Sequence, residues 1–167
     1  MISALLLAMQ VAAPAAPPGP ADDPRCATVR AAVPPGFGGW SARIPVAAGR
    51  MPATAPVLPI GGGADLRLAA GFVPAASPGK APADGSKGGL ALFEVRRAGT
   101  YRVGLSGAAW IDVVRRGQVL ASSAHGHGPM CTGISKMVDY RLSPGRYLLQ
   151  LTGAQADRLG VLIARQP

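Results

Sequence analysis

The stretch Ala124-His-Gly-His-Gly-Pro-Met-Cys131 holds both histidines of the chain, His125 and His127, and one of its two cysteines. Nowhere else in the sequence do metal-binding or nucleophilic groups crowd together. Imidazoles at i and i+2 point the same way from an extended strand, and a glycine-flanked loop can curl them onto one ion. With Cys131 as a thiolate, the set would suit copper or zinc. If Cys131 is bonded elsewhere, only His125 and His127 remain as metal ligands. The stretch is then a glycine-rich connection whose imidazoles hydrogen-bond to backbone carbonyls.

Other chemistries find less support. Nucleophilic catalysis by Cys131 needs an unpaired thiolate and a third group to orient the histidine. Serine hydrolysis needs a Gly-x-Ser-x-Gly elbow, which the sequence lacks. Glu94 is the only glutamate, and Asp112 and Asp139 both fall inside strand patterns. Asp112 alternates with Trp110 and Val114 within an apolar run, which predicts a structural ion pair with an Arg or with Lys136. Trp40 and Trp110 could stack on sugar rings, although Trp110, opening a strand, is expected in the core. Gly61-Gly-Gly63 precedes no Lys-Ser/Thr and reads as a turn, not a phosphate loop. No catalytic residue is assigned, and the residues favour a non-catalytic protein over an enzyme.

Composition says what kind of scaffold must hold these groups. Hydrophobic residues make up 49% of the 167 but aromatics only 5%, so a core must be built from Val, Leu, Ile and Ala. Gly (23) and Pro (17) are too frequent for a helical bundle and fit short strands joined by turns. One domain plus a leader fills this length. Residues 1–15 read as a secretory signal, with an apolar region from Ile2 to Ala13 and a small-x-small cleavage site at Ala13-Pro-Ala15. The mature chain is expected to begin near Ala16. The apolar run is shorter than the roughly 20 residues a spanning helix needs, so no membrane span is expected. The expected location is the periplasm or the medium.

Two cysteines in an exported chain usually pair. A bond between Cys26 and Cys131 would tie the N-terminal segment to the body. Closing so long a loop is worth about 4–5 kcal/mol in the chain-entropy account. The alternative is two free thiols, with Cys131 open to a metal. The formal charge is +9, from 17 basic and 8 acidic residues. That balance favours acidic partners, namely an anionic envelope polymer or another exported protein. Nucleic acid is not expected, because 14 of the 17 cations are scattered arginines with no interleaved aromatics to stack on bases.

Residues 16–64 form a Pro/Gly-rich arm, extended or irregular because proline removes donors and disfavours helix in its predecessor. Within it, Phe37 and Trp40 need something to cover them and suggest a docking point. Residues 65–167 carry the folded domain. A first weak strand is expected over residues 65–70, followed by a loop over 74–89. From Leu90 onward, strands recur at 90–95, 100–106, 110–114, 119–122, 135–142, 146–152 and 159–163. Turns are expected at Ala98-Gly99, Arg115-Arg-Gly-Gln118 and Ser143-Pro-Gly145. The pattern predicts an all-β fold, an antiparallel, jelly-roll-like β-sandwich with an irregular N-terminal arm.

The segments Ala98-Gly-Thr-Tyr-Arg-Val103, Trp110-Ile-Asp-Val-Val114, Gly117-Gln-Val-Leu-Ala121 and Leu142-Ser-Pro-Gly-Arg-Tyr-Leu-Leu-Gln-Leu151 resemble the bacterial pre-peptidase C-terminal domain, over about residues 88–164. In that family an AGTY strand and a later L-x-P-G-x-Y strand pair around a hairpin. The resemblance implies an accessory module of exported proteins that binds polymers or partners and carries no catalytic residues. Gly117, His125 and His127 are similar in order to the first cupin motif, with Cys131 standing where a Glu belongs. The Trp-Ile-Asp-Val-Val and His-Gly-His-Gly-Pro texture also resembles short exported proteins associated with homogentisate 1,2-dioxygenase, itself a cupin. That likeness implies iron at His125 and His127. The chain is far smaller than that enzyme and lacks the carboxylate and third histidine of its motifs.

Overall fold

Alternation puts Tyr101, Val103 and Leu105 on one side of their strand, and in the fold that side meets a second sheet. The computed structural model describes residues 24–167, so the leader (1–15) and the first part of the arm lie outside the described residues. The strands are β1 (Ile44–Ala47), β2 (Gly63–Arg67), β3 (Ala69–Ala70), β4 (Lys87–Val95), β5 (Gly99–Leu105) and β6 (Trp110–Arg115). They continue with β7 (Gln118–Val119), β8 (Ala124–Gly126), β9 (Lys136–Leu142), β10 (Gly145–Ala154) and β11 (Arg158–Arg165). A six-stranded sheet runs β1-β2-β11-β5-β9-β8, and a five-stranded sheet runs β3-β4-β10-β6-β7. Only β1 and β2 pair parallel; the other pairings are antiparallel. The expected antiparallel sandwich is the observed fold. β4 pairs with β10 and β5 with β9, so pairs nest as in a jelly roll.

The sheets meet over Leu66, Phe93, Val103, Ile111, Leu149 and Val161, all essentially buried. Each such aliphatic side chain stabilises the fold by roughly 1.5–3 kcal/mol on leaving water. The outer faces are covered as well. Phe37, Trp40, Ile134, Leu162 and Ala164 cluster outside the six-stranded sheet. Ala55, Ala76, Leu90, Val114 and Leu148 cluster outside the five-stranded one. Burial on both faces explains why Leu148-Leu-Gln-Leu151 and Val161-Leu-Ile-Ala164 are apolar without alternation. The proline-rich arm is the cover: the Phe37 ring lies so close to Gly104 that a Cβ there would overlap it. Trp40 Nε1 donates to the Thr132 carbonyl at 2.8 Å. The docking point expected at Phe37 and Trp40 is this contact.

Two tyrosines close the crossings between sheets. Tyr101 Oη donates to the Arg97 carbonyl at 2.8 Å, and Tyr147 Oη to the Ser143 carbonyl at 2.7 Å, each four residues back. The first sits where β4 passes to β5, the second where β9 passes to β10. Val95 pairs with Gly145 and Gly99 with Leu142, so both corners lie at one end of the sandwich. Tyrosine corners of this kind fix the entry of a strand in other β-sandwiches. The Gly-x-Tyr spacing encodes them here.

Several local expectations are corrected. Residues 65–70 are two strands in different sheets, and Leu68 between them donates its N–H to the Asp157 carbonyl at 2.7 Å. Part of the arm, β1, belongs to a sheet, because its peptide groups find partners on β2. The return strand after the Arg116-Gly117 turn stops at Val119, although Leu120 still donates its N–H to the Val113 carbonyl at 2.8 Å and packs on the core. That turn itself is as expected, with φ of 51° and 79° at its two residues, the signature of a primed hairpin turn. The two Gly-x-Tyr strands do not pair. β5 lies in the six-stranded sheet and β10 in the five-stranded one, because each tyrosine corner moves the chain across the core.

Candidate functional site

The histidine stretch is divided among structural duties. Cys131 Sγ is bonded to Cys26 Sγ across 105 residues, with the Cα atoms 5.2 Å apart. The bond removes the thiolate from both the metal set and any nucleophilic scheme. His127 Nδ1 lies 3.1 Å from the Ser135 carbonyl, the contact expected of a structural loop. His125 sits in β8 opposite Val138 and is exposed. Two imidazoles fall short of the three or four ligands that copper, zinc or iron sites of this kind use. Among the described residues, no three His, Cys, Asp or Glu side chains converge on a metal position.

Asp112, 2% exposed, is held by neutral donors and not by the expected cation. Its Oδ1 accepts from Trp110 Nε1 at 2.9 Å and from the Gly79 N–H at 3.3 Å; its Oδ2 accepts from Gln150 Nε2 at 3.2 Å. The loop through Ala76 and Gly79 brings one backbone donor, the Gly79 N–H, to the carboxylate. Gly79 is there because a Cβ would come within 3.1 Å of Trp110 Nε1. Gln150 completes the network, accepting from the Ala76 N–H and donating to the Ala76 carbonyl, both at 3.0 Å.

Lys136 is not among the donors to Asp112. Its Nζ donates to the Ala109 carbonyl at 3.0 Å and lies 5.0 Å from the centre of the Trp110 ring. Burial, then the charge of Lys80, pulls this ammonium below the usual lysine range, with Asp112 acting in the opposite sense. Trp110 is only half-buried, contrary to the core position expected of it. Its indole is pinned between the carboxylate and the ammonium.

Two openings flank this contact. The smaller, about 140 Å³, lies between β6, β8 and β9 and is lined by His125, Ser122 and Tyr140. Tyr140 Oη donates to the Ile111 carbonyl at 2.9 Å, and burial, then the Asp112 charge, pushes the phenol above its usual range. The larger, about 430 Å³, is lined by Lys80, Pro82, Trp110, Lys136 and Thr152. Thr152 stands opposite Trp110 in the strand register. Its Oγ1 is buried and has no hydrogen-bond partner among the described residues. A further opening shares Pro82, Ala83, Thr152 and Gly153 with the larger one and is lined also by Asp84, Ser86 and Lys87. A separate cleft of about 470 Å³ is lined by Arg96, Arg97, Arg165, Val57 and Ile60.

No protein-family model matches the chain, and no curated protein matches it. The fold therefore defines the class: an antiparallel β-sandwich with both outer faces covered. Sequence reasoning singles out Trp110, Asp112 and Lys136 but passes over Lys80, Gln150 and Thr152. Gln150 carries the clearest signal, an amide inside an apolar run. Lys80 sits in a Pro/Gly/Ala loop and carries none.

Proposed function

We propose that this is an exported, non-catalytic β-sandwich of the cell envelope or periplasm that binds an acidic partner there. The disulfide between Cys26 and Cys131 carries the reading. Such bonds persist in oxidising compartments, and this one joins a segment just past an apolar leader to the sandwich body. The accessory role of the pre-peptidase C-terminal type, which the Gly-x-Tyr corners resemble, agrees with it. Among the described residues no helix is long and apolar enough to cross a membrane. Cell fractionation with intact-mass analysis tests the export. A periplasmic or secreted chain starting near Ala16, with both cysteines oxidised, is expected. A cytosolic chain retaining Met1 and free thiols would overturn it. Co-sedimentation of that mature protein with isolated envelope polymer tests the binding.

A further inference from the structure

The groove beside Trp110 presents two cations with no anion to match them. Lys80 and Lys136 both line it. Among the described residues, Arg43 pairs with Asp65 and Arg102 with Asp139, and neither pair involves these lysines. The nearest carboxylate, Asp112, already accepts hydrogen bonds on both oxygens. Like charges held close on a partly desolvated surface repel, and an anion between them relieves that cost. The depressed basicity of Lys136 has burial as its first cause and Lys80 as its second.

Three further features narrow the class of anion. Trp110 is half-exposed and lines the groove with the lysines, and an aromatic ring is a surface on which the apolar face of a sugar can rest. Thr152 lines the groove, and its buried Oγ1 has no hydrogen-bond partner among the described residues. Buried polar atoms are normally satisfied, and an exception of this kind calls for a ligand atom or water. The volume, about 430 Å³, falls within the range of roughly 300–1,000 Å³ common to ligand sites.

We propose that this groove binds an acidic polysaccharide, with a uronate carboxylate between Lys80 and Lys136, its ring on Trp110 and a sugar hydroxyl at Thr152. The proposal rests on the binding-module reading above and adds the ligand class and the residues. It involves no bond-making step.

Titration calorimetry of the mature, oxidised protein with tetragalacturonate tests it, alongside the neutral galactose tetramer and inorganic polyphosphate. Tetragalacturonate should bind measurably, and the neutral tetramer at least tenfold more weakly. Lys80→Gln and Lys136→Gln should each weaken binding about tenfold, and Thr152→Val several-fold. Lys80 is exposed, so its variant should fold normally even if Trp110→Ala does not. Arg96→Gln, in the separate arginine cleft, should bind as wild type. Absence of tetragalacturonate binding overturns the proposal. So does equal binding of the neutral tetramer, or polyphosphate binding that matches it. If Lys80→Gln and Lys136→Gln still co-sediment with envelope polymer while Arg96→Gln does not, the assigned groove is wrong and the binding-module reading stands.

Discussion

Gln150 and Ala76 hydrogen-bond to each other twice, side-chain amide to main-chain peptide, each bond 3.0 Å long. A loop residue is thereby paired as if it lay in a strand. The arrangement satisfies a buried peptide that β10 could not reach with its own backbone. It also links the loop to Asp112, and through it to Trp110.

Gln150→Leu keeps the volume and removes three hydrogen bonds, the two to Ala76 and the one to Asp112 Oδ2. The Ala76 peptide is then buried and unpaired, at a cost of about 1–3 kcal/mol. Urea denaturation should show that loss at an unchanged m-value. A loss below about 0.5 kcal/mol would show that water replaces the amide without penalty.

The double variant Cys26→Ser, Cys131→Ser opens a loop of 105 residues. In the chain-entropy account it should lose about 4–5 kcal/mol, less any native strain. Wild-type protein in reductant should fall to the same stability as the variant. If the two melt at clearly different temperatures, the bond is not the cause.

Tyr140 gives a pH dependence with a definite sign. Its phenol titrates higher in the folded protein than the ordinary 10.0, chiefly through burial. Above about pH 10 the unfolded chain loses a proton that the folded one keeps, so stability falls as pH rises. Lys136, shifted downward, opposes this below its ordinary 10.5. Tyr140→Phe should be about 1 kcal/mol less stable at pH 7, having lost the bond to Ile111. Its decline above pH 10 should be shallower than that of wild type. Equal slopes in guanidinium titrations at several alkaline pH values would argue against this assignment.

Gly104→Ala places a methyl group where the Phe37 ring lies. Overpacking of this kind costs about 1–3 kcal/mol. The damage should be local to the arm, exposing Trp40 first. A red shift of tryptophan emission before global unfolding, and faster proteolysis near residue 36, are the expected signs.

His125→Ala and His127→Ala should each change stability by about 1 kcal/mol or less, the larger effect at His127, which loses its contact with the Ser135 carbonyl. Metal content measured on purified protein should be the same in wild type and both variants. Stoichiometric copper, zinc or iron lost in either variant would reinstate a metal centre there.

The sandwich was legible because its causes are local. Alternation in Tyr101, Val103 and Leu105 and the turn at Arg116-Gly117 each follow from a few neighbouring residues. The division of residues 65–70 between two sheets was not, because Leu68 takes its partner from Asp157, far along the chain. The histidines were visible as a cluster, but their chemistry turned on a bond to Cys26, which spacing alone leaves open. Lys80 and Lys136 are 56 residues apart in number and meet in one groove only because the loop bearing Lys80 lies over the outer face of the five-stranded sheet.

A sheet ends in strands whose outward peptide groups can template another chain. In this protein the two-residue β3 and β7 and the three-residue β8 offer almost no length for such pairing. The fourth edge, β1, is four residues long and includes Pro45, which has no N–H to give. The edge strands themselves therefore offer a neighbour little to pair with. With a net charge of +9 adding mutual repulsion, concentrated solutions should resist fibril formation and stay dispersed.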